Sequence, residues 1–185
     1  LDEECLVKAG YCLLSKGRTK LDELSMERSL RRRLIRDIND LGYKSHSWQF
    51  IKRKIADPVI ECLTSILREC GVNCVKSIYL ADLTGAEHSY IQGHGGKDLD
   101  IIVFAPGCEA LNKDVERLIE SSLDEAARIV INEVLGFDPV EKLGIPNVIE
   151  VHIVRSEEDT PYWNLIFSRF SRLIKVWDSE ETRGG

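Results

Sequence analysis

The chain has 185 residues, enough for one domain with a sizeable core, alone or with a helical extension. Its formal net charge is −6, with 30% charged and 43% hydrophobic residues, which excludes a surface that is basic throughout but leaves room for a local basic patch. No apolar run approaches the roughly 20 residues that span a bilayer, so no membrane partner is expected. The acidic start Leu1-Asp2-Glu3-Glu4 does not resemble a signal peptide, and the expectation is a cytoplasmic protein.

Ala9 to Leu14 predicts a short helix ending near Lys16-Gly17. Thr19-Lys20-Leu21-Asp22 reads as a capping box, followed by a helical stripe of Leu21, Leu24, Leu30, Leu34, Ile38 and Leu41 with Gly42 as terminator. The other side of that helix carries Arg28, Arg31, Arg32, Arg33 and Arg36. Such a face either pairs with the chain's many acids in solvent or meets phosphates, and Arg28, Arg32 and Arg36 are the candidates for a nucleic-acid contact. Tyr43 to Lys54 reads as a short helix or a loop, its lysines and Arg53 extending the basic character.

Asp57-Pro58 predicts a helix start, with the acid as cap and proline at the first helical position. Its buried stripe is Val59, Cys62, Leu63, Ile66, Leu67 and Cys70, and Gly71 ends it. Val75 to Ala81 predicts a strand, and a loop bearing Gly85, Gly93, Gly95 and Gly96 leads to a second strand over Asp98 to Phe104. Asn112 opens a long helix to about Leu135, stopped by Gly136, and 137–147 reads as a loop. Val148 to Val154 predicts a third strand, and Thr160-Pro161 a last helix with Leu165, Ile166, Phe170, Leu173, Ile174 and Trp177 as its stripe. The expected fold is therefore α/β (α+β), a small mixed sheet with packed helices over 57–178. A helical segment over 1–56 would precede it, and a disordered tail over 179–185 would follow.

Six cysteines show no zinc spacing, since Cys70-x3-Cys74 is a lone pair. Cys62 and Cys70 read as buried thiols, with a bridge such as Cys5–Cys12 or Cys70–Cys74 as the alternative.

The chemistry concentrates in Lys97-Asp98-Leu99-Asp100-Ile101-Ile102-Val103-Phe104. Residues i and i+2 of a strand share a face, so Asp98 and Asp100 point one way and Leu99, Ile101 and Val103 the other. Two carboxylates held together repel unless a divalent cation lies between them or they stand in open water. On the third strand Glu150 and His152 also share a face.

Ordered along the chain, a strand ending in Asp82-Leu83-Thr84-Gly85-Ala86, the strand Asp98-Leu99-Asp100 and the later strand with Glu150 and His152 resemble the polymerase-beta-type nucleotidyltransferase superfamily. The archaeal CCA-adding enzymes and the small stand-alone nucleotidyltransferases have the most similar pattern. The resemblance covers Asp57 to Val154, and the family's serine is absent from the Gly85-Ala86 turn. It implies transfer of a nucleoside monophosphate from an NTP to an acceptor hydroxyl, on RNA or another molecule, with two Mg²⁺ or Mn²⁺ ions at the acids. Asp98 and Asp100 would hold metal, and Glu150 or His152 would stand at the third acid position. Gly85, Gly95 and Gly96 would let the backbone approach phosphate, and Lys97 would offset its charge. The alternative is a member of the fold without transfer activity, binding nucleotide, nucleic acid or a protein partner.

Overall fold

The computed structural model describes residues 2–81, 97–155 and 173–183. Gly85, Gly95 and Gly96 lie outside them, as does the first part of the helix expected from residue 160. The chain opens with α1 (Glu3–Leu6), α2 (Lys8–Ser25), α3 (Arg28–Leu41), a 3-10 turn (Gly42–Lys44) and α4 (His46–Glu69). Then come β1 (Ser77–Ala81), β2 (Leu99–Phe104), α5 (Lys113–Leu135), α6 (Pro139–Leu143), β3 (Ile149–Val154), β4 (Leu173–Asp178) and α7 (Ser179–Arg183). The result is a mixed α/β fold with a helical N-terminal portion, as the sequence predicts. No described helix is long and apolar enough to cross a membrane.

The four strands lie in the order β3-β2-β1-β4. β1 pairs antiparallel with β2 and with β4, while β2 and β3 run parallel. A parallel pair needs a crossover, and α5 supplies it. α5 begins where Asn112 caps the Val115 amide at 3.0 Å and ends at Gly136, whose φ of 82° is one that glycine adopts without strain. Leu99, Ile101 and Val103 of β2 join the main core with the helices, whereas Ile102 belongs to a small cluster on the other face with Val154, Tyr79, Phe104 and Leu173. The alternation thus sorts one face to the helices and leaves the other for Asp100, Glu150 and His152.

Five expectations change. Residues 137–147, read as a loop, hold α6, where Asp138 accepts from the Val140 amide at 3.0 Å and Pro139 stands at the first helical position. The first two helices are redistributed: α2 continues through Thr19, and the break falls after Ser25, so Thr19 bonds back to the Ser15 carbonyl and caps nothing. Asp57-Pro58 starts no helix, because α4 is already under way from the Ser45 cap and carries Pro58 in its interior. Proline inside a helix costs about 3 kcal/mol. Burial of Trp48, Ile51, Ile55, Val59, Cys62 and Leu63 along one continuous stripe offsets that cost. α4 therefore runs unbroken across residue 57, where the sequence suggested a boundary. Leu173 to Asp178 is a strand, since its backbone completes the second edge of β1, with a register shift between Ile78 and Tyr79. Residues 179–183, expected as disordered tail, form α7, with Asp178 accepting from the Glu180 amide at 2.9 Å.

The cysteines are cross-linked as Cys5–Cys70, Cys12–Cys62 and Cys74–Cys108, which replaces both the thiol reading and the two pairings suggested by proximity in sequence. Helix packing decides the first two: α1 and α2 lie against α4, bringing together residues 65 and 50 apart. Such bonds belong to oxidising compartments or to the cytoplasm of hyperthermophiles.

Among the described residues β3 ends the sheet, and its outward amides have no strand partner there. α5 covers them with carboxylates spaced by four. Glu116 accepts from the Ile153 amide at 2.8 Å, Glu120 from Val151 at 2.9 Å, and Asp124 from Val148 and Ile149 at 2.6 and 3.0 Å. Four helical residues rise about 6.0 Å and two strand residues about 6.6 Å, so the two repeats stay in step. This device holds β3, and with it Glu150 and His152, in register.

Candidate metal centre

The parallel pairing sets Asp100 level with Glu150 and Ile102 level with His152. Asp98 stands one pleat before Asp100, just ahead of β2. The side chains converge on the sheet face away from the helices. His152 Nε2 is 3.3 Å from Asp100 Oδ1 and 3.4 Å from Glu150 Oε2. Asp100, Glu150 and His152 each offer one ligand atom, and these lie within 4.8 Å of one another. The nitrogen that bridges the two carboxylates is also the atom that would ligate an ion between them.

The charges are in tension. Burial raises Asp98 to about 10, and the Asp100 and Glu150 charges push the same way. Burial also raises Asp100, although its hydrogen bond to His152 pulls it back. The bond from His152 holds Glu150 far below the ordinary carboxylate range. Burial works against a charged His152 ring, yet its bonds to Asp100 and Glu150 outweigh that and raise it to about 10. The group is thus short of positive charge, and the imidazole proton supplies part of it. A divalent ion entering this triangle would replace that proton. Two carboxylates with one imidazole could hold a divalent ion: the carboxylate oxygens suit Mg²⁺ or Mn²⁺, and the nitrogen donor favours a transition metal over Mg²⁺.

α4 fixes the entrance of β2. Trp48, fully buried, donates its indole N–H to the Lys97 carbonyl at 2.7 Å, and Lys52 Nζ donates to the Asp98 carbonyl at 3.2 Å. The Lys97 ammonium lies 5.2 Å from the centre of the Tyr43 ring. Arg28, Arg32 and Arg36 stand exposed on α3, not on the strands that carry the acids, and none has an ion pair among the described residues.

The sequence brings Asp98, Asp100, Glu150 and His152 to light, and the structure gathers all four. Glu150 interacts with both aspartates as well as His152. Lys52 was missed. In Lys52-Arg53-Lys54 it looks like solvated charge, but it lies four residues from Trp48 and three from Ile55, inside the buried stripe of α4. The chain matches no protein-family model, no curated protein and no solved structure.

Proposed function

We propose that the protein is a divalent-metal-dependent nucleotidyltransferase, moving a nucleoside monophosphate from an NTP to an acceptor hydroxyl. One observation carries this reading: Asp100, Glu150 and His152, from two parallel strands, present ligand atoms within 4.8 Å of each other, with Asp98 one pleat away. The residues fit Mn²⁺, and Mg²⁺ through their oxygens. Bound there, the metal would neutralise phosphate charge and favour the ionised acceptor hydroxyl. Asp100, Glu150 and His152 would hold it, with Asp98 facing the incoming nucleotide. Trp48 and Lys52 keep the strand entrance in place through the carbonyls of residues 97 and 98. RNA is an acceptor that the exposed arginines of α3 would suit.

The second reading, a module of this fold that binds nucleotide without transferring it, is favoured by the histidine in the ligand set, since an imidazole is a poor Mg²⁺ ligand. Calorimetric titration of Mn²⁺, with and without a non-hydrolysable NTP analogue, tests the first. Nucleotide binding should require the metal and disappear in Asp100→Asn. Metal-dependent binding with no turnover of authentic NTPs on hydroxyl acceptors selects the second reading. Absence of both metal and nucleotide binding refutes both.

A further inference from the structure

A cavity lies on the other face of the sheet from the acids. α4 ends at Glu69, and Gly71, with a φ of 79°, turns the chain back so that the Val72 amide donates to the Leu67 carbonyl at 2.8 Å. The chain then enters β1, where Ile78 pairs with Trp177 of β4 and the register shifts between Ile78 and Tyr79. Regular alternation would send Val176 and Trp177 to opposite faces, yet both pack against the main core, as a bulge allows. Between the end of α4, β1 and Trp177 is a cavity of about 160 Å³. Leu67, Val75, Ile78 and Trp177 give it apolar walls, and the exposed Arg68 and Asn73 also line it. Among the described residues no acid lines it, and the Arg68 guanidinium has no ion pair or hydrogen bond. Ile78 belongs to the core on the helix side, whereas Ile102, which shares its face with Asp100, belongs to the cluster on the other side.

Size and chemistry together fix a ligand class. An apolar cavity of about 150 Å³ takes a benzene ring. A guanidinium recognises a carboxylate through two parallel N–H donors, and the Asn73 amide can add another. The indole of Trp177 offers a flat face to an aromatic ring. We propose that this cavity binds a small aromatic carboxylic acid, with its ring among Leu67, Ile78 and Trp177 and its carboxylate on Arg68. The site is separate from the metal centre and stands whether or not that centre holds an ion.

The test titrates benzoate into the full chain, with benzyl alcohol as the neutral probe of similar size, and follows the indole N–H resonances by NMR. The resonance absent from Trp177→Phe identifies Trp177. Benzoate should shift the Trp177 signal saturably and leave that of the buried Trp48 in place. It should bind at least about tenfold more tightly than benzyl alcohol, the advantage of one charge-assisted hydrogen bond. In Arg68→Gln, which changes an exposed side chain, that advantage should fall to about twofold or less while the ring still binds. No saturable shift of Trp177 with benzoate overturns the proposal. So does benzoate binding no tighter than benzyl alcohol in the wild type, or a preference for benzoate that survives in Arg68→Gln.

Discussion

Asp124 gives the sharpest handle on how the centre is held. Its Oδ1 accepts from the amides of Val148 and Ile149, both fully buried. Asp124→Ala leaves two buried donors without a partner, at about 1–3 kcal/mol each. Asp124→Asn keeps a carbonyl oxygen in the same place and loses only the charge. Urea unfolding at neutral pH should therefore show the alanine variant less stable than the asparagine variant by at least about 2 kcal/mol, the lower end of two such losses. The pH dependence has a definite sign. Burial raises the Asp124 carboxyl above its ordinary value, and the two amide bonds only partly oppose it. A raised carboxyl adds stability below the ordinary carboxylate range, and that contribution is lost as pH rises through the raised value. Wild type should thus lose ground to Asp124→Asn as pH rises above the ordinary carboxylate range. Because β3 carries Glu150 and His152, Mn²⁺ affinity should fall in Asp124→Ala and hold in Asp124→Asn. Equal stability of the two variants would show that the carboxylate does not cap the strand.

Other outcomes follow from the packing. Gly10→Ala would place a Cβ 2.7 Å from the Ser122 carbonyl oxygen, so α2 and α5 must separate, and thermal unfolding should report a loss of about 1–3 kcal/mol. Replacing Cys74 and Cys108 together by serine frees a 34-residue separation and should cost about 2–4 kcal/mol in denaturant unfolding without reductant. If α3 contacts RNA, reversing Arg28, Arg32 and Arg36 to glutamate should weaken binding across sequences. It should also lower the salt slope by about 2, three phosphate contacts at roughly 0.7 each for single strands. An unchanged slope in fluorescence anisotropy assigns these arginines to solvent.

The acids of the centre were legible because a strand's period of two leaves few ways to arrange Asp98, Asp100, Glu150 and His152. The limits of α5 were legible because Asn112 and Gly136 act locally. What the sequence hid depends on distant partners. Pro58 signals a helix start only to a reader blind to the apolar stripe on both sides of it. Leu173, Ile174 and Trp177 fit a helical stripe, but Ile174 is half exposed on an edge strand that β1 recruits. The row Glu116, Glu120 and Asp124 has the spacing of an ordinary solvated face. Its role exists only because the amides of β3 turn toward it.

The disulfides divide the polypeptide in a way the fold alone does not. Cys12–Cys62 is nested inside Cys5–Cys70, and Cys74–Cys108 closes separately, so the boundary between two covalent rings falls at residues 71–73. No disulfide joins the ring of helices to the ring that contains β1 and β2. A single cut anywhere between residues 74 and 108 would leave both ends attached through sulfur. Asp98 and Asp100 lie inside that span, so such a cut would leave them tethered to the rest of the chain.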